Sequence, residues 1–187
     1  MNKSWQQLMA KSQEQLASGK LDDAQNNALQ ALAMSESLPP DDRRQGMSLE
    51  LLTGILFRKK QYGLSEPFMR RLLEMYKRCL GAEHLDTGTV FHNVALLYHG
   101  WGKLEDADAY YLKAVKVKSK HLPAEHPDMV VLTGNYAALR SVLVPLEQAM
   151  RPRLPIEDVS KNDTLSLTGQ YNVASVPDGE FGVTTKK

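Results

Sequence analysis

An all-α solenoid of stacked helical hairpins is predicted, and three observations predict it. First, GKLDDAQNNALQA from Gly19, KQYGLSEPFMRRL from Lys60 and GKLEDADAYYLKA from Gly102 line up at intervals of 41 and 42 residues. Second, the connectors LPPDD from Leu38, LGAEHLD from Leu80 and LPAEHPD from Leu122 recur every 42 residues. Third, Ala24, Ala28 and Ala31 in the first copy correspond to Ala107, Tyr111 and Ala114 in the third, at spacings of four and three that place them on one helical face. A period held in helix and loop alike marks a repeat architecture, in which each unit buries its apolar face only against its neighbours.

Taken in order, the units differ in quality. The first closes at Gly19, where glycine accepts the left-handed geometry that ends a helix. The second has Ser65, Met69 and Leu72 at the small and aromatic positions and Lys60 at the turn, so its packing is expected to be less regular. In the third, Phe91, Val94, Ala95 and Tyr98 mark the inward face of a first helix, Gly102 breaks the chain, and Ala107 opens the face of the second. The fourth begins at Pro127-Asp128 and continues through GNYAAL from Gly134, but Pro145 and Pro152 are expected to confine its second helix to about two turns, as a terminal cap. The reading is about three and a half hairpins over residues 1–151, followed by a flexible or disordered tail over 152–187. In that tail Leu165, Leu167, Tyr171 and Val173 alternate with polar residues, which allows a short docked strand that would compete for a binding groove.

An aromatic, a small residue, Tyr, Gly, Ala, aromatic and Ala follow one another in the third unit as Phe91, Ala95, Tyr98, Gly102, Ala107, Tyr111 and Ala114. This order resembles the tetratricopeptide repeat. The period of 42, the L-x-x-E-H-P-D connector, and an Asn two residues before the small residue (Asn93, Asn135) are similar to the kinesin-light-chain variety of that repeat. The resemblance covers roughly residues 5–150 and is strongest in the third unit. It implies a protein-binding or peptide-binding adaptor or scaffold without catalysis, in which the repeated Asn contacts the ligand backbone.

Composition is consistent with such a protein. At 187 residues, with 23 basic and 22 acidic side chains and a formal charge of +1, no strong field draws it to nucleic acid or to an anionic membrane. The opening MNKSWQQLMAKSQEQ lacks the apolar core of a secretion signal, and no later stretch is read as approaching the ~18 apolar residues of a membrane span, so a cytoplasmic protein is expected. The lone Cys79 rules out an internal disulfide; Lys77 and Arg78 beside it would lower its pKa, yet a packing role is the plainer reading.

Catalytic and cofactor signatures are missing. His84 and His126 occupy equivalent loops, and His92 and His99 stand seven apart on one helix, without the i, i+4 spacing of a shared zinc, so no metal and no cofactor are expected. The two Gly-Lys dipeptides lack the upstream glycine of a phosphate loop, and neither G-x-S-x-G nor G-x-G-x-x-G occurs. Asp22-Asp23 and Glu105-Asp106 stand at helix starts, where they complement the helix dipole. Residues 41–80 hold nine basic and five acidic side chains, including Arg58, Lys59, Lys60, Arg70, Arg71, Lys77 and Arg78. A solvated outer face is the plainer reading of this patch, with an acidic peptide or phosphate ligand as the alternative and nucleic-acid binding a remote one.

In a curved stack the first helix of each hairpin lines the inner surface. The stripe opposite the core gives the candidate groove: His92, Asn93, Leu96 and His99; Asn135, Ala138 and Ser141; and Met47, Glu50, Gly54, Phe57 and Arg58. Amides there would bond a peptide backbone while apolar positions take side chains. The alternative to an adaptor is a structural or oligomerisation unit whose end surfaces stack on copies or on a larger assembly.

Overall fold

Helix boundaries follow the punctuation of the sequence. The computed structural model describes residues 4–150, which form α1 (Trp5–Ala17), α2 (Leu21–Glu36), α3 (Arg43–Arg58), α4 (Tyr62–Leu80), α5 (Leu85–Trp101), α6 (Leu104–Lys118) and α7 (Pro127–Met150). No strand occurs among the described residues. Ser4 caps α1 through a reciprocal box with Gln7. The connector histidines do the same work further on: His84 Nδ1 accepts the Asp86 N–H at 3.2 Å to cap α5, and His126 Nδ1 accepts the Asp128 N–H at 3.2 Å at the start of α7. Two loop histidines that invite a metal reading are therefore helix caps.

The three hairpin turns share one backbone closure. The Lys20 N–H donates to the Gln15 carbonyl at 2.8 Å, Gln61 to Leu56 at 2.9 Å, and Lys103 to Tyr98 at 2.9 Å. Gly19 and Gly102 take the positive φ this closure requires (+77° and +81°). In the second hairpin Lys60 takes it, at φ +56°, and a side chain there costs about 1–2 kcal/mol.

Each helix packs against the next, α1 also touches α3, and α5 touches α7; the main core runs from α2 to α7, and Leu8, Met9 and Ala31 form a smaller cluster at the α1 end. Ala24, Ala28, Ala31, Ala107, Tyr111 and Ala114 are all wholly buried, which lets the paired helices approach closely. Tyr111 is the largest of them: its ring stacks on Tyr136 at 5.5 Å and meets His92 and His99 at 5.9 and 6.0 Å. Burial of so large a ring contributes on the order of 3 kcal/mol. Met69 holds the equivalent place in the second hairpin, and its thinner side chain fills less space.

The end of the stack differs from the sequence expectation. Instead of a short second helix confined by Pro145, α7 runs unbroken through that proline. Leu132, Leu139 and Leu143 bury one face of α7, while Pro145, which removes one backbone hydrogen bond, faces out. The second helix of the fourth hairpin is thus absent from the described residues, and Val130, Val131, Val142 and Leu146 stay exposed. A further correction follows, because Pro127–Gln148 is long and apolar enough to cross a membrane by length and composition. The same segment packs Met129, Leu132 and Leu139 into the main core, and its Arg140 is paired with Asp108 at 3.2 Å. The expectations for residues 152–187, a disordered tail or a docked strand, lie outside the described residues.

Candidate functional site

Between α3 and α5 the stack opens into a hollow of about 160 Å³ lined by Thr53, Gly54, Phe57, Met69, Asn93 and Leu96. Its cause is compositional. Gly54 and Met69 stand where the following repeat carries the larger Leu96 and Tyr111, so less side-chain volume lines this level of the stack. Four of the groove residues expected from sequence, Gly54, Phe57, Asn93 and Leu96, therefore share one concavity. Thr53 and Met69 join them unexpectedly; Met69 was legible only as a departure from the repeat pattern. Asn93 is exposed at the rim with no side-chain partner among the described residues.

The other expected groove residues divide. Ala138 and Ser141 are exposed on α7, where Ser141 Oγ donates back to the Ala138 carbonyl at 2.8 Å. Met47 and Glu50 are exposed but line a second cavity, of about 440 Å³, between α3 and α4 and the start of α5. Arg58 is exposed, and its guanidinium donates to the Leu16 carbonyl at 2.8 Å, closing the free end of α1 rather than facing a ligand.

His92 is a correction: only 6% of it is exposed. It points between α5, α6 and α7, where Asn135 Nδ2 donates to its Nε2 at 3.2 Å. Burial, and then the Lys118 ammonium, lower its pKa to about 4, so the ring is neutral at pH 7. Asn135 is consequently half-buried and engaged, unlike Asn93. His99 is half-buried too, with its Nδ1 3.2 Å from the Tyr111 hydroxyl. The repeat pattern puts His92 one step from Asn93, and that step turns it from the open stripe to the seam with the next hairpin.

The basic patch is taken up by internal pairs. Lys59 reaches Asp22 at 2.6 Å, Arg70 reaches Glu66 at 2.8 Å, Lys77 reaches Glu74 at 2.8 Å, and Arg71 and Arg78 pair with Glu36 and Asp41. With Arg58 held by α1, Lys60 alone of the seven has no partner among the described residues. A phosphate backbone needs several uncommitted cations. Cys79 is exposed, and its thiol pKa is raised, by desolvation and then by Asp41, which reverses the expected lowering by its basic neighbours.

Comparison with known proteins agrees with this architecture. Residues 44–120 match the tetratricopeptide repeat family model. The fold is similar to a kinesin light chain protein with nearly identical TPR-like repeats from Podosopora anserina, at 17% identity and a TM-score of 0.68, covering 76% of this chain and 68% of that one. A single-substitution form of the same protein gives the same figures: 17% identity, a TM-score of 0.68, and coverage of 76% and 68%. BtubC (BKLC) from P. vanneervenii is similar at 14% identity and a TM-score of 0.67, covering 90% of this chain and 74% of that one. No curated protein matches the sequence. The match places tetratricopeptide-type repeats at residues 44–120, and the described helices share the solenoid fold of these structures.

Proposed function

We propose that this stack is a non-catalytic adaptor of the cytoplasm that holds an extended peptide of a partner protein across the hollow between α3 and α5. The observation that carries the reading is the pairing of an exposed, uncommitted amide, Asn93, with an apolar concavity formed by Phe57, Met69 and Leu96. The amide bonds a peptide main chain, and the concavity takes one of its side chains. So short a groove supports affinity of the micromolar class, about −8 kcal/mol.

Affinity capture from native lysate with wild-type and Asn93→Ala protein, then anisotropy on the peptide mapped from the captured partner, tests it. Asn93→Ala is expected to weaken binding about tenfold, one hydrogen bond of about 1.4 kcal/mol, with an unchanged melting temperature. Asn135→Ala instead is expected to cost about 1 kcal/mol of stability, since His92 loses its donor. Equal capture by wild-type and Asn93→Ala would remove the assignment.

A second reading, self-association, is favoured by the exposed Val130, Val131, Val142 and Leu146 on α7. Sedimentation of the protein alone separates the two. Self-association predicts a mass that grows with concentration from the 20.9 kDa monomer, and a constant monomer mass excludes it.

A further inference from the structure

The larger cavity, of about 440 Å³, has a counterpart one repeat later, and there the space is filled. Moving 42 residues along the chain takes Gly46 to Gly88, Glu50 to His92, Met75 to Val117, Tyr76 to Lys118 and Asp86 to Asp128. In the later repeat the Lys118 stem lies buried in the seam and its ammonium reaches Asp128 at 3.1 Å, with the side chain 2% exposed. A Cβ on Gly88 would stand 2.9 Å from Val117 and 3.0 Å from Lys118, so the two helices are in full contact there.

In the earlier repeat the lysine is missing. Tyr76 takes its place and turns its hydroxyl to Glu50, and a Cβ on Gly46 would meet nothing nearer than Met75 at 3.5 Å. The cavity that results has an apolar wall of Met47, Met75 and Leu80 and three carboxylates, Asp41, Glu50 and Asp86, with Arg43 also on its lining. Asp41 is held by Arg78. Asp86 is 62% exposed in its side chain and has, among the described residues, only the His84 ring, at 3.7 Å, where Asp128 has a lysine.

We propose that this cavity takes a lysine-type side chain of the partner, its aliphatic stem along Met47 and Met75 and its ammonium between Asp86 and Glu50. The occupant is argued from charge complementarity and from Lys118, which fills the same place in the next repeat. The proposal rests on reading this side of the stack as a peptide groove, and it adds the chemistry of one ligand residue. A long stem covering apolar surface with a charged head at the rim is the ordinary way such a side chain is accommodated.

Cys79 lines the same cavity and is the sole cysteine of the chain, which provides a test without any peptide. The protein is equilibrated with cystamine, 2-hydroxyethyl disulfide or 3,3′-dithiodipropionate in a buffer of fixed thiol potential, and the mixed disulfide is quantified by intact mass. The ammonium probe is expected to be captured about fivefold more than the hydroxyl probe, and the carboxylate probe less than either, as partly exposed charges allow. In Asp86→Asn and Glu50→Gln that preference is expected to fall below about twofold, while Asp106→Asn, remote from the cavity, keeps it. Equal capture of the three probes, or a preference that survives both cavity variants, overturns the proposal. Neither result touches the role of Asn93, and equal capture of partner by Asn93→Ala does not alter the probe result, so the two failures are distinguishable.

Discussion

Acidification from pH 7 to about 4.5 is expected to cost this protein about 2–3 kcal/mol of stability through one side chain, His92. The ring is 6% exposed and accepts from Asn135 through Nε2. Its surroundings are Tyr111, the Lys118 ammonium, which opposes protonation, and Asp128, which favours it less strongly. A histidine whose folded pKa is depressed contributes stability that is complete above its unfolded value, near 6.5, and is lost as pH falls toward the folded value of about 4. That gap is worth about 3 kcal/mol at 1.36 kcal/mol per pH unit, most of it lost by pH 4.5. The carboxylates with lowered pKa, Asp41, Asp42, Glu66, Glu83 and Asp128, lose their contribution as pH falls through the carboxylate range, the greater part of it below that window. Urea midpoints at pH 7, 5.5 and 4.5 for wild type and His92→Gln provide the measurement. Glutamine keeps an acceptor for Asn135 and cannot titrate, so the variant should hold its stability down to about pH 5. A parallel decline in both proteins would show that His92 is not the sensitive group.

His92 also illustrates which parts of the molecule were legible in the sequence. Repeat spacing fixes the hairpins, their turns and the wholly buried face of Ala24, Ala28, Ala31, Ala107, Tyr111 and Ala114, because a period of 42 with small residues every three or four positions has few structural solutions. Asn93, Leu96, Gly54 and Phe57 were placed on one surface by the same argument, and they share one hollow. His92 failed because a helical stripe is wide, and periodicity does not say which edge meets the next hairpin. Arg58 failed because a long cationic side chain can turn to a carbonyl, Leu16, that lies 42 residues away in sequence. Pro145 failed as a stop signal because Leu139 and Leu143 bury enough surface to carry the helix past it. Local rules lost in each case to a tertiary contact.

Gly46 and Gly88 stand 42 residues apart, in equivalent first helices, yet replacing each by alanine is expected to move stability in opposite directions. Both gain helix propensity, about 0.5–1 kcal/mol for glycine to alanine. At Gly46 the new methyl meets Met75 at 3.5 and 3.7 Å, which is ordinary contact with an adaptable side chain, so the gain stands. At Gly88 it would lie 2.9 Å from Val117 Cγ1 and 3.0 Å from Lys118 Cγ. Val117 is 3% exposed and stiff about χ1, and Lys118 is 2% exposed and tethered to Asp128, so neither yields without strain. Overpacking of this kind costs about 1–3 kcal/mol, which outweighs the propensity gain. The two variants should therefore differ by about 2 kcal/mol, roughly 4–8 °C in melting temperature for a domain of this size. Adding Val117→Ala to Gly88→Ala should bring the pair closer to additive relief than to additive loss, since it removes the atom nearest the new methyl. Should Gly88→Ala melt at or above wild type, the third hairpin is not in full contact at that seam. The filled seam would then no longer explain why the lysine position is occupied from within in one repeat and open in the one before it.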